Sequence, residues 1–210
     1  MSDRLPDEEA VRPSDLTPDI DAKLAAALER CGQALRVQLW DAAKQSGLTP
    51  TQLQVLLRLA TDPTAGRRVG ALAAELDVTH PTVSDAVAVL RRKRLVERHG
   101  ERRGSPLTLT ARGREIAARL AGWDTRLREQ LAELPAESKA TTLRLLLDLI
   151  AGLQRSGAIT VARMCSTCRF FRPDAHPDAV ERHHCALVDM PMSDSQLRVD
   201  CAEHERAAVS

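Results

Sequence analysis

Four cysteines crowded toward the C-terminus constrain this chain more than any other feature. Cys165, Cys168, Cys185 and Cys201 follow the spacing Cys-x2-Cys, then sixteen residues, then fifteen. Four soft sulfur donors are the number taken by a tetrahedral zinc ion or by an iron–sulfur cluster. The same stretch holds both phenylalanines and four of the six histidines, and no helical period runs through it. Such a segment has little apolar surface with which to fold alone, so a metal bound only by its folded form would stabilise it directly. The chain is therefore read as three parts: an acidic tail over residues 1–18, a main domain over 19–158 and a Cys-rich extension over 159–210.

The rest is ordinary in composition. With 43% apolar and 28% charged residues over 210 positions, the balance is that of a globular protein. No apolar run approaches the roughly 20 residues needed to cross a bilayer, and the first residues lack the apolar core of a secretory signal. A cytoplasmic location away from membranes is expected, where clustered thiols hold metal or respond to redox in preference to forming disulfides. The formal net charge is +1, so a polyanion would have to be met by a local patch. No Gly-rich phosphate loop, paired acids or serine–histidine–acid set stands out, and the chain does not read as an enzyme.

Periodicity gives the order of elements. Leu24, Leu28, Cys31, Leu35, Leu39 and Ala42 recur at helical steps from Ile20 to Gln45, which makes Cys31 a small hydrophobe on a buried stripe. Thr49-Pro50-Thr51-Gln52 is a capping box opening a second helix. A short helix over Val69–Leu76 and a turn at Asp77-Val78 lead to another helix capped by Thr79, with Pro81 in its first turn. Val83, Val87 and Leu90 must face its core, leaving Thr82, Ser84, Asp85, Ala88 and Arg92 on or flanking the outer face. Arg91, Arg92, Lys93, Arg94, Arg98, Arg102 and Arg103 against Glu97 and Glu101 then give seven minus two, or +5, in thirteen residues. Leu95–Arg98 and Leu107–Thr110 alternate around a glycine-bounded basic tip, as a two-stranded hairpin does.

Helix, turn, helix and basic hairpin form the layout of a winged helix-turn-helix. The fold expected is mainly α, with long terminal helices, a short hairpin wing and the small Cys-rich extension. The second helix of the pair would enter a major groove through Thr82, Ser84, Asp85 and Ala88. Arg92 would meet a backbone phosphate, Arg98 would join the DNA contacts, and Arg102 and Arg103 would reach a minor groove or phosphates. His80, near the start of that helix, could touch DNA or take a capping role.

The order Leu48-Thr49 with Gln52, Leu72-Ala73 with Leu76 and Val78, Thr82-Val83-Ser84, Leu90, Leu95-Val96 with Arg98, Glu101-Arg102-Arg103 and Leu109-Thr110 with Gly113 resembles the MarR family of winged-helix regulators. The resemblance runs from Ile20 to Ala158. It implies double-stranded DNA as partner, a homodimer and DNA contacts by Arg102 and Arg103. Glu101 stands where the family carries aspartate, Arg94 where a glycine is expected, and the wing between Arg98 and Glu101 is a few residues short. Two further stripes suit a dimer. Ile116, Leu120, Trp123, Leu127, Leu131 and Leu134 mark one helix from Ala111 to Leu134. Leu143, Leu145, Leu146, Leu147, Leu149, Ile150 and Leu153 give the next, Ala136–Gln154, too many apolar groups for one buried face. A two-fold dimer would read an inverted repeat.

In the extension, Cys-x2-Cys-x2-Phe, sixteen residues to Cys-x-Leu and then a fourth cysteine resembles the ligand spacing of high-potential iron–sulfur proteins, with Phe171 in the packing position. This implies a 4Fe-4S cluster held by Cys165, Cys168, Cys185 and Cys201. With only Phe170 and Phe171 as aromatic cover, an exposed, oxygen-sensitive cluster is expected. Zinc is the alternative, although a zinc ribbon repeats its knuckle and here the second pair is split. His183 and His184 could sit behind the ligands or replace one. The leading expectation is a DNA-binding transcription regulator that senses redox state, oxygen or iron through its cluster. The alternatives are a small-ligand regulator with a structural zinc, and a cluster-bearing electron-transfer or assembly factor whose winged module binds protein.

Overall fold

A computed structural model describes residues 19–61, 66–100, 104–161 and 163–207. Seven α-helices and five short strands are present among them: α1 (Ile20–Gln45), α2 (Pro50–Thr61), α3 (Val69–Glu75), α4 (His80–Arg92), β1 (Val96–Arg98), β2 (Leu107–Leu109), α5 (Ala111–Leu120), α6 (Thr125–Ala132), α7 (Ala136–Arg155), β3 (Phe171–Arg172), β4 (His183–Cys185) and β5 (Met190–Met192). The fold is mainly α with a small antiparallel wing, as the sequence pattern predicts.

Local chemistry sets these boundaries. Thr49 and Gln52 bond reciprocally, the Gln52 N–H donating to Thr49 Oγ1 at 3.3 Å and the Thr49 N–H to Gln52 Oε1 at 3.2 Å, which is the capping box closing the start of α2. Thr79 Oγ1 accepts from the Thr82 N–H at 3.4 Å at the start of α4. Strands β1 and β2 pair antiparallel with Val96 opposite Leu109, and Arg67 adds an isolated bridge to Leu107. The buried side of α4 (Val83, Ala86, Val87, Leu90) meets Val55, Leu56 and Leu59 of α2, Leu72 of α3 and Leu95, Leu107 and Leu109 of the wing in one core. Each fully buried aliphatic chain contributes roughly 1.5–3 kcal/mol by leaving water, so α4 is held rigidly from behind.

Two expectations are corrected. The single helix over Ala111–Leu134 is divided into α5 and α6 by a turn at Ala121–Asp124. Gly122 supplies the weak point, since glycine costs about 1 kcal/mol in a helix interior, and Thr125 Oγ1 donates to the Gly122 carbonyl at 2.5 Å. The turn lets half-buried Trp123 pack beside Leu120 on Leu39, Ala43 and Leu53. Cys31 is exposed, not buried. The first half of α1 extends past the core of its own chain, and only Leu39 and Ala43 of that helix are buried.

The Cys-rich extension has an order of its own. Strands β3, β4 and β5 form a three-stranded antiparallel sheet, with Phe171 opposite Cys185 and Cys185 opposite Met190. Met164, Cys165 and Leu197 bury against Leu147 and Ala151 of α7. The extension thus borrows α7 for the apolar face it lacks.

Candidate functional site: a basic reading face and a cavity ringed by thiols

On α4, Thr82, Ser84, Asp85, Ala88 and Arg92 are all exposed, on the side opposite the buried valines. Arg91 and Arg92 close the helix, where cations complement the negative end of its dipole. A groove of about 610 Å³ runs between α4 and the wing, and Arg68, Gly70, His80, Ser84, Arg98 and Gly104 are among the residues lining it. Arg98 is half-buried, and among the described residues its buried Nε has no hydrogen-bond partner. Arg68, just ahead of α3, was not singled out from the sequence. Its signal was available as a cation before the first helix of the pair. Arg102 and Arg103, with Glu101, lie outside the described residues.

Arg94 occupies the place where glycine is expected and takes a left-handed backbone, φ 57°. Its N–H donates to the Arg91 carbonyl at 2.9 Å and its carbonyl accepts from Thr110 Oγ1 at 2.8 Å. Those bonds hold a conformation that costs an L-residue roughly 1–2 kcal/mol, so the chain turns into the wing here without the glycine.

The second candidate centre lies in the extension. Cys165, Cys168, Cys185 and Cys201 all line one cavity of about 340 Å³, with Phe171, Leu187, Met190, Met192 and Arg198 also in its wall. Backbone pairing brings the distant thiols there. The Cys165 N–H donates to the Arg198 carbonyl at 3.1 Å, the Cys201 N–H to the Arg163 carbonyl at 2.8 Å and the Ala186 N–H to the Phe170 carbonyl at 2.9 Å. All four are free thiols. Among the described residues no three His, Cys, Asp or Glu side chains gather to hold a single metal ion; the thiols stand around the cavity instead.

Opposing effects act on the buried thiol. Burial pushes the Cys165 thiol up, opposed by the Arg198 backbone N–H, while the neighbouring thiols add to the rise. That N–H donates to Cys165 Sγ at 3.2 Å, and the Arg198 guanidinium donates to Cys201 Sγ at 3.6 Å. Cys201 Sγ also donates to Glu203 at 3.3 Å. His183 is buried between two partners, accepting from the Asp174 N–H at 3.2 Å and pairing with Asp194 Oδ1 at 2.8 Å. His184 meets Asp189 at 3.1 Å. Neither histidine is in the cavity wall, so both support the sheet that carries Cys185.

Residues 46–104 match the model of the MarR family. Among solved structures, Staphylococcus aureus MepR in complex with DNA is 20% identical, covers 61% of this chain and 97% of its own, and superposes with a TM-score of 0.55. The transcriptional regulator PA3341 is 24% identical over 63% of this chain and 98% of its own, with a TM-score of 0.55. The Mycobacterium tuberculosis MarR family protein Rv2887 is 30% identical over 61% and 95%, with a TM-score of 0.47. Each is spanned almost entirely, whereas more than a third of this chain has no counterpart in it. No curated protein matches the chain. No helix among the described residues is long and apolar enough to cross a membrane.

Proposed function

We propose, from the premise that this chain carries a MarR-family winged-helix domain, that it is a dimeric, sequence-specific regulator of transcription. Its C-terminal extension holds an iron–sulfur cluster through which it senses redox state, oxygen or iron. The observation that carries the reading is the placement of all four clustered thiols on one cavity, in a chain whose other end presents a small-residue helix face beside a basic wing. Four thiols ranged around a volume suit a polynuclear cluster better than a single ion, and the split second pair points the same way.

Cys165, Cys168, Cys185 and Cys201 would hold the cluster, which when bound supplies a one-electron couple and a lability to oxidants. The protein's own groups define its setting. Arg198 donates to two of the sulfurs, Phe171 and Met192 wall the cavity, and α7 covers the extension from behind. On the DNA side, Thr82, Ser84, Asp85 and Ala88 face base edges, while Arg92, Arg98, Arg102 and Arg103 meet phosphates or the minor groove.

Dimerisation rests on unburied apolar groups of the terminal helices. Ile20, Leu24, Leu28, Val37 and Trp40 of α1 and Leu145, Leu149 and Leu153 of α7 are exposed on the single chain. Exposed large apolar groups recurring along helices in this way call for cover by a partner, and a two-fold dimer presents two reading helices to an inverted repeat.

The test is an ultraviolet–visible spectrum of anaerobically purified protein together with metal analysis and selection of bound duplexes from random sequence. Broad absorbance near 400 nm, of the order expected for sulfur-to-iron charge transfer, with selection of an inverted repeat, supports the reading. A colourless protein with one zinc per chain makes the extension a structural clip and moves sensing to a small ligand.

A further inference from the structure

Among the described residues the extension bonds to the winged-helix domain of its own chain through Asp200 and through Thr160, and the first of these is the neighbour of a thiol. Asp200 directly precedes Cys201. Its Oδ1 accepts from Arg163 Nη2 at 2.7 Å and Nε at 2.9 Å, and its Oδ2 from Arg58 Nη1 at 3.4 Å. Arg58 lies in the last turn of α2, which packs directly against α4. Arg163 also fixes Cys201 itself, because its carbonyl accepts the Cys201 N–H at 2.8 Å. Separately, the Thr160 N–H donates to Asp77 Oδ1 at 2.9 Å. Asp77 sits in the turn between α3 and α4 with φ 48°.

Between the two contacts lies a cleft of about 180 Å³ walled by Arg58, Glu75, Arg163 and Asp200 among others. Glu75 pairs with buried Arg67, and Arg67 bridges Leu107 at the base of the wing. The carboxylate beside a thiol is therefore bonded to the helix behind the reading helix, and the segment leading into the extension is bonded to the turn ahead of it.

We infer that Asp200 is a positioning residue that, through Arg58 and Arg163, ties the placement of Cys201 to α2 and α4 of the same chain. This rests on the proposed cluster. Coupling requires two states that differ in free energy at both sites. Here they are Asp200 holding Arg58 when Cys201 is fixed in the cavity wall, and Asp200 releasing it when Cys201 is free. The route lies within one chain, so it does not depend on the spacing of two reading helices across a dimer.

The test compares wild type, Asp200→Asn, Arg58→Gln and Arg58→Lys, each prepared anaerobically and again after removal of iron by chelator. Affinity is measured for a duplex that wild type selects from random sequence, with amide exchange followed across α2 and residues 76–79. In wild type the two forms should differ in affinity by about tenfold, within the usual range of coupling, and exchange in those segments should differ with them. In Asp200→Asn and Arg58→Gln the affinity ratio should fall to within about twofold, with iron content and absorbance near 400 nm retained, while Arg58→Lys keeps most of it.

Coloured variants that keep the wild-type ratio overturn the positioning role and leave the cluster reading standing. A colourless, iron-free wild type overturns both. Equal affinity of the two wild-type forms overturns the coupling, and so does loss of colour in Arg58→Gln, which would assign the bridge to holding the cluster.

Discussion

A Cβ placed on Gly113 would lie 1.9 Å from the carbonyl oxygen of Leu95. The amino-terminal turn of α5 is thus packed against the backbone entering the wing, at a distance only glycine permits. Gly113→Ala pits two effects against each other. Helix propensity favours alanine by about 1 kcal/mol, but the opposing atom is backbone, and overpacking of this kind costs about 1–3 kcal/mol. Strain wins. The denaturant midpoint should fall, with the slope unchanged; an unchanged or higher midpoint would show that α5 can shift freely.

At Arg94 the sign reverses. Its backbone is left-handed at φ 57°, which glycine adopts freely, although glycine also has more unfolded-state entropy to lose, roughly 0.5–1 kcal/mol. Relief of about 1–2 kcal/mol outweighs this, so Arg94→Gly should raise the midpoint slightly. A clear loss of stability would mean the arginine side chain contributes more than its backbone costs.

These positions also show what the sequence made legible. The reciprocal bonds of Thr49 and Gln52, the Thr79 cap and the buried valines of α4 follow from spacing alone, because local hydrogen bonding and a 3.6-residue period decide them. Gly113 could be singled out, but its reason depends on Leu95 eighteen residues earlier and is visible only in three dimensions. The break at Gly122 was hidden because Ile116, Leu120, Trp123 and Leu127 keep a helical stripe through it; tertiary packing of Trp123 overrode the period. Exposure of Cys31 was hidden for the opposite reason, since an apolar stripe does not say whose core it faces. In the extension, spacing named the four thiols, whereas the contacts of Asp200 with Arg58 and of Asp77 with Thr160 join residues far apart in sequence, which no local pattern encodes.

On the proposed reading, the exposed face of α4 separates base reading from steering. Thr82, Ser84, Asp85 and Ala88 are exposed along its first half and Arg92 ends it. Ser84→Ala and Asp85→Ala should change the preferred duplex sequence. Arg92→Ala should weaken binding to all sequences nearly uniformly and reduce the logarithmic salt slope by roughly 0.9, the loss expected for one phosphate contact. If Arg92→Ala alters the selected sequence while the Ser84 and Asp85 variants keep it, the assignment is reversed.

The apolar stripe of α7 carries the dimer prediction. Leu145, Leu149 and Leu153 are spaced four apart and are 54%, 41% and 40% exposed on the single chain. Leu149→Lys would place a charge in any interface formed there while leaving the buried Leu147 and Ala151 untouched. Sedimentation should show the wild type as a dimer and the variant dissociating at concentrations at least about tenfold higher, since an unpaired charge in an interface costs several kcal/mol. Helical content should be retained. A variant as dimeric as wild type would move the interface off α7.

The thiols give the most direct readout of the extension. Serine at Cys165, Cys168, Cys185 or Cys201 removes one donor from the cavity wall and should abolish or strongly reduce absorbance near 400 nm, whereas Cys31→Ser, on α1 and outside that wall, should leave the colour intact. The four replacements need not be equal. Cys165 is buried against α7, and its sulfur accepts the Arg198 N–H, so Cys165→Ser lengthens that bond and puts a smaller, polar hydroxyl into an apolar contact; it should lower the melting temperature of cluster-free protein. Cys168→Ser, half-buried, should cost little stability without the cluster. Four coloured variants would exclude these sulfurs as ligands. Equal melting temperatures for cluster-free Cys165→Ser and Cys168→Ser would show that the Cys165 bond and its burial contribute nothing to the fold of the extension.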